Sequence, residues 1–250
     1  MPLIESTPIV FVHGLFGSLE DQCILAEFHA RALVAPDLLG YGELSETPAE
    51  SITLAAQVGH LRDVIATRFG GRRVHLVGHS AGGAVACLLA HRYPGLVASV
   101  VNVEGNFTLR DAFWSASVAR MTPKEAVAML NSLRADPGAW LTRSGVFPEW
   151  HEIAAVSKWL SRQPASTVRA MALSVVEATG KPDYLAALRE VFASHPVHLV
   201  AGARSREGWD TPDWALQQAA SLTVMPRVGH LMMLEDPVNF GRVIANLLRD

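Results

Sequence analysis

Gly78-His79-Ser80-Ala81-Gly82 places a serine between two glycines, directly after one apolar run and directly before a run of small residues. The apolar run, residues 74–77, is typical of a buried strand, and the small residues 83–90 are typical of a helix. A strand, a Gly-x-Ser-x-Gly turn and a helix together predict a strained elbow that exposes the serine hydroxyl at a helix N-terminus. The five residues alone also occur in ordinary turns, so the flanking strand and helix carry the interpretation.

Apolar runs alternate with helical periodicity along most of the remaining chain. This alternation predicts an α/β fold, with a mostly parallel sheet of about six strands covered by helices on both faces. The predicted strands are residues 8–12, 32–35, 74–77, 96–103, 197–201 and 221–225, and the predicted helices outside the central block are residues 20–32, 52–69, 81–93 and 238–248.

The alternation stops in the middle of the chain, where the pattern from about residue 107 to residue 182 is helical without a strong strand signal. A helical block inserted after a strand is expected to cover the carboxyl ends of the strands, where open α/β sheets bind their ligands. We therefore expect residues 1–106 and 183–250 to form the α/β core and residues 107–182 to form a helical cap.

Composition excludes several classes of protein. The net charge is −3 and the 21 basic residues are scattered, which argues against a nucleic-acid partner. No apolar stretch approaches the ~20 residues of a membrane span, and the sequence contains no His or Cys spacing typical of a metal site. We expect neither metal nor cofactor. Only two cysteines and no signal-peptide pattern lead us to expect a cytoplasmic protein.

A serine hydroxyl needs a base to take its proton before it can act as a nucleophile. His230 is the candidate base, because it follows the last predicted strand and precedes the last predicted helix. A histidine after a glycine in a loop is more often structural, so the position of His230 carries the prediction. His13 and His79 are expected to pack and hydrogen-bond behind the site rather than to react.

Four motifs now resemble those of the α/β-hydrolases with a cap domain. They are His13-Gly14-Leu15-Phe16-Gly17-Ser18, Pro36-Asp37-Leu38-Leu39-Gly40-Tyr41-Gly42, Gly78 to Gly82, and Gly229-His230 with Glu235-Asp236-Pro237. The resemblance covers nearly the whole chain outside the helical block. It differs from the family pattern at the start, since no runs corresponding to the first two strands of the family precede residue 8.

The resemblance implies roles for several residues. Ser80 would be the nucleophile and His230 the base. The backbone N–H groups of Ala81 and Leu15, or alternatively Phe16, would hold the oxyanion, and such donors contribute ~3 kcal/mol each. Asp37 would stabilise its turn.

The acid of the triad departs from the usual family pattern. The family usually places an aspartate in the turn after the strand at residues 197–201, where this chain has Ser205. Glu104, at the end of the preceding strand, occupies the position used by some capped members such as the haloalkane dehalogenases. Asp210 is the alternative. We favour Glu104, because a carboxylate that ends a buried strand needs a partner such as His230.

The resemblance implies a serine hydrolase that cleaves a carboxylic ester of a small, largely hydrophobic substrate. A C–C bond hydrolase or related lyase, a thioesterase, a lactonase, and a hydrolase-like receptor for a small molecule remain alternatives. The oligomeric state stays open between monomer and homodimer. Aromatic residues that could contact the substrate are Phe16, Phe107, Phe113 and Trp114, and basic residues that could meet a substrate carboxylate are Arg110, Arg120, Arg143 and Lys158.

Overall fold

A computed structural model describes residues 6–29 and 31–249 of the 250-residue chain. Its centre is a sheet in which the described residues form six strands, all parallel, in the spatial order β2-β1-β3-β4-β5-β6. The α/β class and the six-stranded sheet predicted from the sequence are thus confirmed. The strands are β1 (Ile9–Val12), β2 (Leu33–Val34), β3 (Val74–His79), β4 (Val97–Val103), β5 (Val197–Gly202) and β6 (Ser221–Met225).

The central strands are buried on both faces. Every residue of β1 is buried, and β3 and β4 each have only one residue that is partly accessible. Continuous apolar runs, rather than alternating ones, are what a parallel sheet with helices on both faces requires. The described part of the chain contains twelve α-helices, which are α1 (Gln22–Leu25), α2 (Leu54–Phe69), α3 (Ala81–Arg92), α4 (Phe113–Ala119), α5 (Pro123–Ala135), α6 (Pro137–Arg143), α7 (Trp150–Ser161), α8 (Ala165–Thr179), α9 (Pro182–Ser194), α10 (Asp213–Gln218), α11 (Met232–Glu235) and α12 (Pro237–Leu247).

The predicted helix over residues 20–32 is much shorter in the structure. Helix α1 spans four residues, and a single 3₁₀ turn, Ala26–Phe28, follows it. The ring of Phe28 packs edge-on against Phe11 of β1, with 5.3 Å between ring centroids, and the chain turns from there towards β2. Residue 30, inside the predicted helix, lies outside the described residues. Helical periodicity could not reveal this early turn.

Helix α2 has clear signals at both ends. The Oγ1 atom of Thr53 accepts a hydrogen bond from the N–H of Ala56, which caps the first turn. Gly70 ends the helix in the left-handed conformation, with φ of 62°. The helix therefore begins two residues after the predicted start at residue 52 and ends at the predicted residue 69.

The long stretch between β4 and β5 is helical, as predicted, and no strand interrupts residues 104–196. Helices α4 to α8 pack mainly against one another, whereas α9 packs chiefly against α3 of the core and also contacts α8 and α10. Two bonds join the loop after α7 to the turn that follows β2. The Arg162 guanidinium lies 2.9 Å from the Asp37 carboxylate, and the Arg162 carbonyl accepts from the N–H of Gly42.

Candidate active site

Ser80 stands alone between a strand and a helix. Strand β3 ends at His79 and α3 begins at Ala81, so the whole change of direction falls on one residue. Ser80 has φ of 54° and ψ of −124°, a conformation that side-chain-bearing residues rarely adopt. Its N–H donates to the carbonyl of Val103 in β4, and its carbonyl accepts from the N–H of Gly83. These bonds hold the strained turn in place.

The glycines of the elbow are required by close backbone contacts. A Cβ atom on Gly82 would overlap the carbonyl oxygens of Val12 and His13, and one on Gly78 would overlap the backbone of Gly82. None of these neighbours is a flexible side chain, so the backbone itself would have to move. The Gly-x-Ser-x-Gly pattern is therefore a packing requirement of the elbow here.

A Gly82→Ala variant is expected to lose about 3 kcal/mol of folding free energy or more, because the added methyl group meets backbone oxygen. Gly59→Ala is the matched control. Gly59 lies inside α2 with open space around it, so alanine should stabilise the protein by about 0.5–1 kcal/mol. Urea unfolding of both variants measures the difference, and equal stabilities would contradict the overlap at Gly82.

His230 and Glu104 meet at the carboxyl end of the sheet. The Nδ1 atom of His230 lies 2.7 Å from Oε2 of Glu104. Glu104 directly follows β4 and is only 4% exposed, while His230 lies in the segment between β6 and α11. The other carboxylate oxygen, Oε1, accepts hydrogen bonds from the N–H of Gly202 and the hydroxyl of Ser205. Glu104 is thus buried and fully paired.

The pairing decides the charge of Glu104. Burial alone would raise its pKa, but the hydrogen bond and charge of His230, with the hydrogen bonds from Ser205 and Gly202, outweigh burial and leave the pKa below its usual range. The carboxylate is therefore ionised at neutral pH. Since an ionised carboxylate only accepts hydrogen bonds, Nδ1 of His230 carries the proton and Nε2 of the neutral ring is free to accept one.

Ser80 and His230 share the walls of two cavities. The main cavity has a volume of about 490 Å³, and the side cavity, of about 220 Å³, also contacts Glu104. No hydrogen bond joins the Ser80 hydroxyl to the His230 ring in this structure. Such bonds are often long in the absence of substrate and tighten when it binds.

His13 and His79 take supporting positions. Burial, and to a lesser extent the neighbouring His230 ring, hold the pKa of His79 well below its usual range. The neutral ring of His79 donates from Nε2 to the carbonyl of His230, and its centroid lies 4.6 Å from that of the His230 ring. Burial likewise lowers the pKa of His13, which donates to the Gly14 carbonyl and accepts from the N–H of Leu38.

The two carboxylates considered from the sequence lie in different surroundings. Asp210 accepts from the hydroxyl of Thr108 at 2.6 Å and lies 3.4 Å from the Arg110 guanidinium. His230 donates its Nδ1 proton to Glu104 instead. Ser205, which replaces the usual aspartate of the family, donates its hydroxyl proton to Glu104 at 2.6 Å. In the sequence, Ser205 marks only the absence of the usual aspartate, and its hydrogen bond to Glu104 could not be inferred.

Ser205→Ala is expected to lower kcat for a substrate by about tenfold, because it removes one of the hydrogen bonds that keep Glu104 ionised and aligned. The pH profile is the decisive measurement. Without this bond the Glu104 pKa should rise, so activity should fall at a higher pH on the acid side than in the wild type. Ser205→Thr, which keeps the hydroxyl, should stay close to wild type, and an alanine variant with an unchanged profile would contradict this role.

Two backbone N–H groups expected to hold an oxyanion have no acceptor among the described residues. Leu15 follows β1 and lines both cavities, and Ala81 is the first residue of α3. The Leu15 carbonyl accepts from the Tyr41 hydroxyl at 3.1 Å, which fixes the loop after β1. The N–H of Phe16, the alternative donor, is also without an acceptor in this part of the chain.

Three of the four aromatic residues expected to contact a substrate do line the main cavity, and one does not. Phe16, Phe113 and Trp114 are part of its wall. Phe107 is fully buried, and its ring packs against those of Phe192, Trp209 and Trp214. Phe107 thus lines neither cavity that contains Ser80, because its ring belongs to a core cluster of aromatic residues.

Several residues of the main cavity were not expected to face it from the sequence. Trp140 and Ser117 approach from the helices, and Arg204 and Leu231 approach from the loops after β5 and β6. Gly145, close to the end of α6, completes the wall. These residues are far apart in the sequence, so only the folded chain brings them together.

The model of the alpha/beta hydrolase family matches residues 9–243. The chain belongs to this family. Lipase 1 of Psychrobacter immobilis is 28% identical over 118 residues, which are 47% of this chain and 36% of the lipase. Protein ABHD8 of Mus musculus is 38% identical over 101 residues, which are 39% of this chain and 23% of that protein. The matched segments thus cover about a third or less of both relatives.

Solved structures of alpha/beta hydrolases are similar to the chain over nearly its full length. An esterase from Thermogutta terrifontis superimposes with a TM-score of 0.73 at 20% identity, covering 98% of this chain and 90% of the esterase. At this level of identity the likeness shows the shared fold.

Two further features of this alpha/beta hydrolase concern metals and membranes. Within residues 6–29 and 31–249, His, Cys, Asp and Glu side chains form no group of three or more that could hold a metal ion. In the same residues, no helix combines the length and apolar character needed to cross a membrane.

Proposed function

We propose that this protein is a serine hydrolase that cleaves a carboxylic ester of a small, largely hydrophobic substrate through an acyl-enzyme. One observation carries the proposal. The strained Ser80 lies in the wall of the same cavities as His230, whose Nδ1 is bonded to the buried Glu104. A strained, accessible serine beside an oriented imidazole costs folding energy and serves nucleophilic catalysis.

The chemistry proceeds in two stages. The Ser80 oxygen attacks the ester carbonyl while Nε2 of His230 takes the hydroxyl proton. The bond between the carbonyl carbon and the alcohol oxygen then breaks, and His230 returns that proton to the leaving alkoxide. In the second stage His230 takes a proton from water, which attacks the acyl-Ser80 carbonyl. The bond between the acyl carbon and the Ser80 oxygen then breaks, His230 returns the proton to that oxygen, and the acid is released. Glu104 holds the ring in the required tautomer and stabilises the imidazolium.

The tetrahedral intermediates carry a negative oxygen. In our proposal the N–H groups of Leu15 and Ala81 donate to this oxygen, and each contributes ~3 kcal/mol to the transition state. Two features of the structure support these donors, since neither group has an acceptor in the described residues and Ala81 opens helix α3.

We also propose that residues 107–182 act as a cap, as expected from the sequence, over a core of residues 1–106 and 183–250. The main cavity supports this division. One part of its wall is formed by Trp114 of α4 and Trp140 of α6, and the other by Leu15, Ser80 and His230 from the loops after strands. Aromatic rings facing the nucleophile favour an apolar acyl or alcohol group.

A thioester, a lactone or a C–C bond next to a ketone could react at the same residues, and a receptor could retain them without turnover. The rate of product release separates the enzyme from the receptor. Multiple turnovers of an ester favour the hydrolase, whereas a single slow cleavage with retained product favours the receptor.

Labelling with a fluorophosphonate, followed by peptide mapping, tests the proposal directly. The reagent should modify Ser80 and leave His230→Ala unlabelled, because the reaction needs the base. A series of p-nitrophenyl esters of rising acyl length then measures turnover. Folded protein that neither reacts with the reagent nor cleaves any of the esters would overturn the proposal.

A further inference from the structure

The main cavity contains positive charge without negative charge. Among the described residues in its wall are two arginines, Arg143 and Arg204, and no aspartate or glutamate. Arg204 is already compensated, because its guanidinium pairs with Glu235 and donates to the carbonyl of Gly145. The uncompensated charge in this wall is therefore that of Arg143.

Arg143 differs from the other basic residues that the sequence suggested for a substrate carboxylate. Arg110 lies 3.4 Å from the Asp210 carboxylate, and Lys158 lines a separate small cavity beside Asp37. Arg120 lines neither of the cavities that contain Ser80. Only Arg143, among these four, lies in a cavity with the candidate nucleophile.

The position of Arg143 suits recognition rather than structure. It is the last residue of α6, it is exposed, and it makes no hydrogen bond or ion pair with any described residue. An exposed residue in the wall of a cavity lies where the cavity meets solvent. Its guanidinium is therefore available at the opening to a charged end of a ligand.

A second unpaired donor lies one helical turn before Arg143. Trp140 is 3% exposed and lines the same cavity, yet its indole N–H has no hydrogen-bond acceptor. Buried donors are nearly always paired, and this one is an exception that lies behind the cavity wall, since the Nε1 atom itself is buried. Residues three apart lie on one face of a helix, which places both donors on the same side of α6.

From these observations we propose that the substrate is a monoanion, an ester whose apolar body separates the reacting bond from a carboxylate that binds Arg143. This inference rests on the proposed function. The apolar body would contact Phe16, Trp114 and Leu231 in the cavity wall. A carboxylate suits a guanidinium better than other groups because two parallel hydrogen bonds can form.

Paired substrates of equal length test the inference. The p-nitrophenyl monoester of adipic acid carries a terminal carboxylate, and p-nitrophenyl hexanoate has a methyl group there. A second pair places the charge on the alcohol, as the hexanoyl esters of 4-hydroxybenzoate and of phenol. The wild type should prefer the charged member of at least one pair by about tenfold in kcat/KM. The preference should appear in KM, since the contact is remote from the reacting atoms.

Variants of Arg143 locate the effect. Arg143→Gln should abolish the preference for the charged ester, and Arg143→Lys should retain part of it. Arg120→Gln is the matched control, since it removes a charge outside both cavities and should leave the preference intact. Equal use of charged and neutral esters by the wild type, or a preference that survives in Arg143→Gln, overturns the inference.

A binding measurement separates this inference from the proposed function. Calorimetric titration of the Ser80→Ala variant with monomethyl adipate and with methyl hexanoate needs no turnover. Tighter binding of the anion that is lost in the Ser80→Ala, Arg143→Gln double variant supports anion recognition even if the wild type cleaves no ester. Equal binding of both ligands overturns it, whatever the result with the fluorophosphonate.

Discussion

Ser80→Ala is expected to lower kcat for p-nitrophenyl esters by about 10⁶-fold, the scale observed when the serine of a triad is removed. The reason lies in the geometry, since Ser80 is the residue that the β3–α3 elbow holds in a strained conformation beside His230. Without its oxygen no acyl-enzyme can form, and only binding and the oxyanion donors remain. Stopped-flow and steady-state assays of product release, together with fluorophosphonate labelling, measure the loss of activity.

The control for this variant is Ser132→Ala. Ser132 is an exposed residue of α5 outside both cavities, so the variant should keep its activity and its labelling. Thermal unfolding should be similar for both variants, because alanine in place of Ser80 removes no hydrogen bond made by the side chain. A Ser80→Ala variant that retains more than about a tenth of the activity would exclude Ser80 as the nucleophile.

The closeness of Ser80 and Glu104 could be predicted because the parallel sheet makes position along the chain informative. Strands β3 and β4 are neighbours, and His79 pairs with Val103 in their register. The residues that follow, Ser80 and Glu104, must therefore emerge side by side at the carboxyl edge. Short connections and the order of strands are properties that an apolar pattern reveals, so this part of the site could be inferred before any coordinates.

The wall of the main cavity could not be predicted in the same way. Phe107 follows Glu104 closely in the sequence, but its ring packs into a cluster with Phe192, Trp209 and Trp214. Arg143, in contrast, is farther from Glu104 in the sequence, yet it lines the main cavity. Which face of a helix meets the site depends on packing among α4 to α8, and that packing comes from long-range contacts that periodicity does not encode.

The position of Ser205 could be predicted from the sequence, but its hydrogen bond could not. Its place in the turn after β5 showed that the usual aspartate was absent. The Glu104 side chain follows β4 and reaches across to the end of β5. There its carboxylate accepts hydrogen bonds from the Ser205 hydroxyl and from the N–H of Gly202. The sequence shows the substitution, and only the fold reveals that Ser205 donates a hydrogen bond to Glu104 at the end of the neighbouring strand.

Glu104→Gln is expected to lower kcat by about 10⁴-fold, the scale seen when the acid of a triad is replaced by its amide. The ionised carboxylate accepts the Nδ1 proton of His230 at 2.7 Å and leaves Nε2 free to take the proton of Ser80. An amide can instead donate to Nδ1, which moves the ring proton to Nε2 and blocks the base. Steady-state kinetics measure the loss in kcat, and fluorophosphonate labelling should slow in parallel.

Asp210→Asn is the matched control, because its carboxylate is bonded to Thr108 and Arg110 rather than to His230. It should change kcat little. The opposite pattern, with full activity in Glu104→Gln and a large loss in Asp210→Asn, would move the acid to Asp210. The thermal stability of Glu104→Gln shows whether a loss of kcat comes from the chemistry or from misfolding. The amide keeps the shape of Glu104 and an oxygen that can accept from Gly202 and Ser205. We therefore expect the variant to fold normally, with Ser80 in place and the proton of the His230 ring on the wrong nitrogen.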